Sequence, residues 1–166
     1  MMILPIAPLF IQVLLPDEAG INSFTGLVMG TAWVTTTLSA VYLGRLGDQI
    51  GHRRIVIVCC LTTALFYLPQ AMVSTGWQLL LFQALAGLAA GGIIPGISAL
   101  LAKDTKQGHE GAVFGLDSSI SAGARALAPL LAVSVAILFN LRASFLATAF
   151  LFFTAGTLAI LKLPKG

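Results

Sequence analysis

The side chains able to do chemistry fall into two groups. The first is the segment 44–54, Gly-Arg-Leu-Gly-Asp-Gln-Ile-Gly-His-Arg-Arg. Gly44 permits close backbone approach, Asp48 offers an acceptor near a helix end, and Gly51 allows a turn before His52, Arg53 and Arg54. A carboxylate so placed can bond the backbone donors of a neighbouring helix start, or an arginine, in one conformation and release them in another. Gly44, Asp48, Gly51, Arg53 and Arg54 are therefore a candidate gating loop. Any short loop held at the cytoplasmic face is also rich in Gly and Arg, so spacing alone leaves both explanations open.

The second group, Trp33, Gln83, Asp117 and Arg125, lies inside apolar stretches and forms a candidate path for a polar ligand. An Arg at the centre of a membrane helix costs about 2.5 to 3.5 kcal/mol and calls for a partner. Asp117 is eight residues away, about 12 Å along a helix axis and out of direct reach. The counter-charge is then an anionic ligand or a residue outside this chain, unless Arg125 snorkels to an interface. Gln83 can bond a ligand or a facing helix.

The elements that must position these residues are membrane helices. Of the 166 residues, 58% are hydrophobic and only 9% charged, and the mean hydropathy is +0.98, whereas soluble domains carry about 25% charged residues. Six apolar runs are counted, at 1–15, 24–43, 55–73, 77–102, 112–139 and 143–161. Each is expected to be a helix, because only helices and closed barrels satisfy the backbone in lipid and alternating strand patterns are absent. The whole chain reads as a single all-α, polytopic membrane domain. The first run is short, since fifteen residues cover roughly 22 Å of a core about 30 Å thick, and the chain is expected to be cut within or just before that helix.

Positively charged short loops stay cytoplasmic. Arg45, Arg53, Arg54, Lys103, Lys106, Lys162 and Lys165 fall on one side of the six runs, with Arg142 alone on the other. Both termini are therefore expected in the cytoplasm, with the protein in a plasma membrane. The net charge of +3 fits this bias, and no basic stripe with interleaved aromatics points to nucleic acid. Cys59 and Cys60 are adjacent and read as packing residues. His52 and His109 lack further ligands at metal spacing, so no metal site and no cofactor are expected.

Gly44, Leu46, Asp48, Gly51 and Arg53 match the loop signature Gly-x-Leu-x-Asp-Arg-x-Gly-Arg-Arg/Lys, and on this the chain resembles the major facilitator superfamily. Gln49 and His52 replace two of the usual basic residues. Phe66-Tyr67-Leu68-Pro69-Gln70-Ala71, Gly91-Gly92-Ile93-Ile94-Pro95 and Phe114-Gly115-Leu116-Asp117-Ser118-Ser119 are similar to the multidrug-efflux-like branch. Gly115 and Pro129 stand at the ends of the efflux pattern Gly-x8-Gly-x3-Gly-Pro, with Ala124 and Ala128 in place of its middle glycines.

The resemblance implies the C-terminal six-helix half of a twelve-helix carrier with inverted three-helix repeats. Its partners would be the lipid bilayer, an N-terminal six-helix half, a small-molecule substrate and a coupling proton exchanged as in an antiporter of the bacterial inner membrane. The first, second, fourth and fifth helices would line the path. The hydroxyls of Thr31, Thr35, Thr36, Thr37 and Ser39 and of Ser118, Ser119 and Ser121 are expected there too, although each can instead bond its own helix backbone. Gly87, Gly91, Gly92 and Gly96 read as a close-packing, bendable fourth helix. A serine hydrolase built on Gly96-Ile97-Ser98 would need a base at matching depth, and neither His lies in an apolar run, so no catalytic set is expected. A six-helix subunit that moves no solute, or a half carrier paired with itself, is the remaining alternative.

Overall fold

The computed structural model describes residue 11 and residues 18–163, with the side chains of residues 11, 23–140 and 142–163. The expected helix over 1–15 lies outside the described residues, apart from Ile11. The described elements are all helices: α1 (Glu18–Ile50), α2 (His52–Gln70), α3 (Gly76–Ala90), α4 (Ile93–Asp104), α5 (Glu110–Leu138) and α6 (Leu141–Lys162). With α3 and α4 counted as one span, five spans among the described residues are long and apolar enough to cross a bilayer. The chain is an all-α polytopic membrane protein.

Two boundaries differ from expectation. The segment 44–54 is not a loop, because α1 continues seven residues beyond Leu43 to Ile50. Arg45, Leu46 and Gln49 are good helix formers and no proline intervenes, so nothing stops the helix before Gly51. Gly51, at φ +96°, is the single residue between α1 and α2. Its amide still bonds Gly47 O at 2.9 Å. At 33 residues, α1 is about 50 Å long, so its signature end extends past a hydrocarbon core about 30 Å thick. Gly44 and Asp48 are therefore helical residues.

The run 77–102 is also divided, at Gly91-Gly92 between α3 and α4. Both glycines keep right-handed helical dihedrals, so the chain runs on as one span rather than turning back. Pro95 has no amide hydrogen for the carbonyl of Gly91, and its ring crowds that carbonyl. The interruption between α3 and α4 follows from that lost bond.

Packing is uneven. Helix α2 lies along α6 and also contacts α1, α3 and α4, whereas α5 rests on α6 and touches α4. One buried cluster joins Ile11, Val28, Ala71, Val73, Leu79 and Phe145. It ties α1, the start of α3 and the start of α6 together at the end away from Gly51. At the opening of α6, Asn140 accepts a hydrogen bond from the Arg142 amide at 2.7 Å, capping the helix.

Candidate functional site

The signature residues meet at the corner between α1 and α2. Asp48 Oδ1 and His52 Nε2 are 3.1 Å apart across the Gly51 break. The imidazole lies over Gly47, where any β-carbon would collide with the ring. His52, which stands where the signature has a basic residue, is thus the partner of the carboxylate in this conformation. The pair spans the turn that Gly51 makes between α1 and α2.

Arg53 reaches a different helix. Its Nε donates to Leu163 O at 3.0 Å and its NH2 to Ile160 O at 2.7 Å. Ile160 lies in the last turn of α6 and Leu163 is its C-cap, where helix carbonyls go without intrahelical partners. A cation there also meets the negative end of the helix dipole. Arg53 therefore fastens the start of α2 to the end of α6. Sequence reasoning missed this contact, because its partners are backbone atoms 107 and 110 positions away. Arg45 and Arg54 are exposed. Gly44 approaches α4 at Pro95, where a β-carbon would make ordinary contact at 3.9 Å.

Above the corner, α3 and α4 cross α1 and α2 through glycines. A β-carbon at Gly87 would lie 2.6 Å from Ala32 O, and one at Gly91 would lie 2.6 Å from Thr36 O. At Gly92 it would meet Cys59 Sγ at 2.8 Å, and at Gly96 it would meet Val56 Cγ2 at 2.6 Å. The i, i+4 glycine pairs seen in the sequence therefore do bring backbones together, with Cys59 packed against one of them. Ser39 adds a hydrogen bond to Leu88 O across the same crossing.

That crossing also corrects the expected lining of α1. Thr35, Thr36 and Ser39 turn toward α3 rather than toward an open path. Small hydroxyl side chains suit a surface on which glycine must seat. Trp33, 49% exposed, and Thr37 remain on the open side with Gly26 and Gly30. Thr31, Thr36, Thr37 and Ser119 each donate to the carbonyl four residues earlier, so these hydroxyls are satisfied by their own helices.

On α5, Asp117, Ser118, Ser121 and Arg125 share one side by helical period. Asp117 is half-buried and Arg125 is exposed. Arg125 has no hydrogen bond or ion pair among the described residues. Gln83 sits elsewhere, half-buried on α3, where its amide is a hydrogen-bond partner of the Tyr67 hydroxyl of α2. The Tyr67 ring stacks on Phe152 of α6, with centroids 5.8 Å apart. Next to them Gln70, wholly buried, donates to Phe66 O and to Phe82 O, each at 3.2 Å. The residues named from sequence thus divide into an open stripe on α5, an exposed Trp33 on α1 and a Gln83 held inside the bundle. The Tyr67 and Gln70 contacts were not foreseen, although two polar side chains three residues apart in an apolar run give a visible signal.

The Major Facilitator Superfamily profile matches residues 1–166. The multidrug resistance protein MdtG of Salmonella dublin is 32% identical over 147 residues, which is 89% of this chain and 36% of that protein. The MdtG protein of Salmonella typhimurium gives the same figures, and that of Salmonella heidelberg is 31% identical over the same length. The chain therefore spans 36% of the length of these curated relatives. With the family profile covering every residue, and Gly44, Asp48, Gly51 and Arg53 gathered at the corner between two membrane spans, this chain belongs to the Major Facilitator Superfamily.

Proposed function

We propose that this bundle is the C-terminal half of a secondary active transporter of the bacterial inner membrane, with both termini in the cytoplasm. It rocks against an N-terminal six-helix half, so that a site near the midplane opens to each side in turn. The cargo is a small molecule or drug exported in exchange for protons; the drug part of this reading is supported by the MdtG relatives, which are named as multidrug resistance proteins. Arg125, Trp33, Gln83 and Asp117 serve the substrate path. The corner of Gly44, Asp48, Gly51, Arg53 and Arg54 serves gating, with the Asp48–His52 pair and the hold of Arg53 on α6 made in one state and loosened in the other.

The observation that carries this reading is Arg125. An exposed guanidinium within a span, with no ion-pair partner among the described residues, cannot face hydrocarbon without a large cost. Its side of α5 borders water or a second protein surface. Asp117, on the same side of α5, is the one carboxylate inside an apolar run and the nearest group in this chain that a coupling proton could occupy.

The test is drug flux in vesicles that contain this chain together with an N-terminal half. Arg125→Ala is expected to lower flux by about tenfold to a hundredfold, the loss of one charge-assisted contact. Gln83→Ala is expected to lower it less, since Gln83 already bonds Tyr67. Equal flux with Arg125→Ala and the unaltered chain overturns the role of Arg125. Full flux by this chain without an N-terminal half would instead favour self-pairing.

A further inference from the structure

One hollow on the described surface lies away from Arg125 and from the gating corner. It is a groove of about 670 Å³ between α2 and α6, and no polar side chain lines it. Ala64 and Ala149, both buried, form the floor, while Leu65, Leu68, Phe150 and Phe153 stand as exposed walls. Its volume falls within the range of about 300–1,000 Å³ typical of ligand sites. All of these residues lie within two membrane spans, so the groove meets acyl chains and not water.

Arg142 supplies the second half of a site. Positions 142, 146, 149, 150 and 153 recur on one side of α6 by helical period, so Arg142 stands one turn beyond Leu146 at the mouth of the groove. It is exposed and has no ion pair among the described residues. From Arg142 to Phe153 is about 16 Å along the axis, close to half of a hydrocarbon core about 30 Å thick. A groove of that depth with a guanidinium at its interfacial end has the dimensions of one lipid in one leaflet.

The geometry points to a bound phospholipid: its phosphate is held by Arg142, and one acyl chain lies over Ala64 and Ala149 between α2 and α6. The site belongs to the leaflet opposite the signature corner, since Arg142 opens α6 and Arg53 closes it. It bridges the two helices that Arg53 joins at the other end. The lipid therefore clamps the α2–α6 pair from the far side.

The purified full chain in detergent, titrated with dioleoyl phosphatidylglycerol and read by native mass spectrometry, tests this. The unaltered chain is expected to hold one lipid more tightly than any other. Arg142→Gln is expected to weaken that lipid at least about tenfold, the loss of one charged hydrogen bond, and Ala149→Phe, which fills the floor, to displace it. Arg45→Gln, exposed at the opposite end, is expected to leave it in place, and millimolar inorganic phosphate is expected not to compete. Equal retention by Arg142→Gln and the unaltered chain, or displacement by phosphate alone, overturns the proposal. Should Ala149→Phe fail to fold, the pair Arg142→Gln and Arg45→Gln, both at exposed positions, decides the matter.

Discussion

Helices α2 and α5 are both long and apolar enough to span a bilayer, yet 33% of the most apolar window of α2 is buried within the bundle and only 6% of that of α5. Within its apolar stretch, helix α2 buries polar side chains. Thr63 and Gln70 are wholly buried, and Tyr67 meets Gln83. Helix α5 packs through Ala128, Ala132 and Ala136, and leaves Ser118 and Arg125 exposed. Apolarity fixes which segments enter the membrane. Where the polar groups of a segment lie, buried at Thr63 and Gln70 on α2 and exposed at Ser118 and Arg125 on α5, separates the two helices.

The sharpest way to break this comparison is to disturb each side by one carbon or more. Gly91→Val forces a side chain against the Thr36 carbonyl, and is expected to lower stability by about 1–3 kcal/mol or more, as overpacking does. Gly123→Ala on α5 meets nothing within 4 Å, and is expected to be neutral or to raise stability by up to about 1 kcal/mol through helix propensity. Thermal unfolding in detergent measures both, and equal loss at the two sites would erase the distinction.

A smaller effect is expected at the corner. Arg53→Ala removes two hydrogen bonds from the end of α6, at a cost of about 1–2 kcal/mol. Hydrogen exchange at residues 160–163 should then speed up, while Arg54→Ala leaves it unchanged. The smallest effect is expected from Asp48→Asn. The Asp48 side chain is 73% exposed, and an exposed pair is worth on the order of 0.2–1 kcal/mol. A marked fall in flux with little change in unfolding temperature would mark Asp48 as a gating residue. A fall in both together would mark a structural one.

Much of this was legible in the sequence because lipid leaves few choices. The runs at 55–73, 112–139 and 143–161 became α2, α5 and α6 with ends shifted by three residues or fewer, since an apolar run in a bilayer must satisfy its own backbone. The glycines of α3 and α4 announced close packing by their spacing. The end of α1 was misplaced because Gly, Asp and Arg look like a loop when hydropathy alone sets the boundary. A helix that leaves the membrane keeps its hydrogen bonds without staying apolar. The direction of each hydroxyl on α1 was not legible, because Thr36 and Thr37 differ only in which neighbour lies across from them. The Arg53 contact was hidden for the same reason, as carbonyl acceptors carry no side-chain signature.

The central claim is that the Ser118, Ser121 and Arg125 side of α5 meets water while the groove between α2 and α6 meets lipid. Cys59 and Cys60 are first replaced by Ala, and single cysteines are introduced as Ser118→Cys, Ser121→Cys, Leu65→Cys and Phe150→Cys. Membrane vesicles containing the chain are then treated with a membrane-impermeant thiol reagent. Rapid reaction at 118 and 121 with none at 65 and 150 is the predicted result, and equal reactivity at all four positions, or the reverse order, would contradict it.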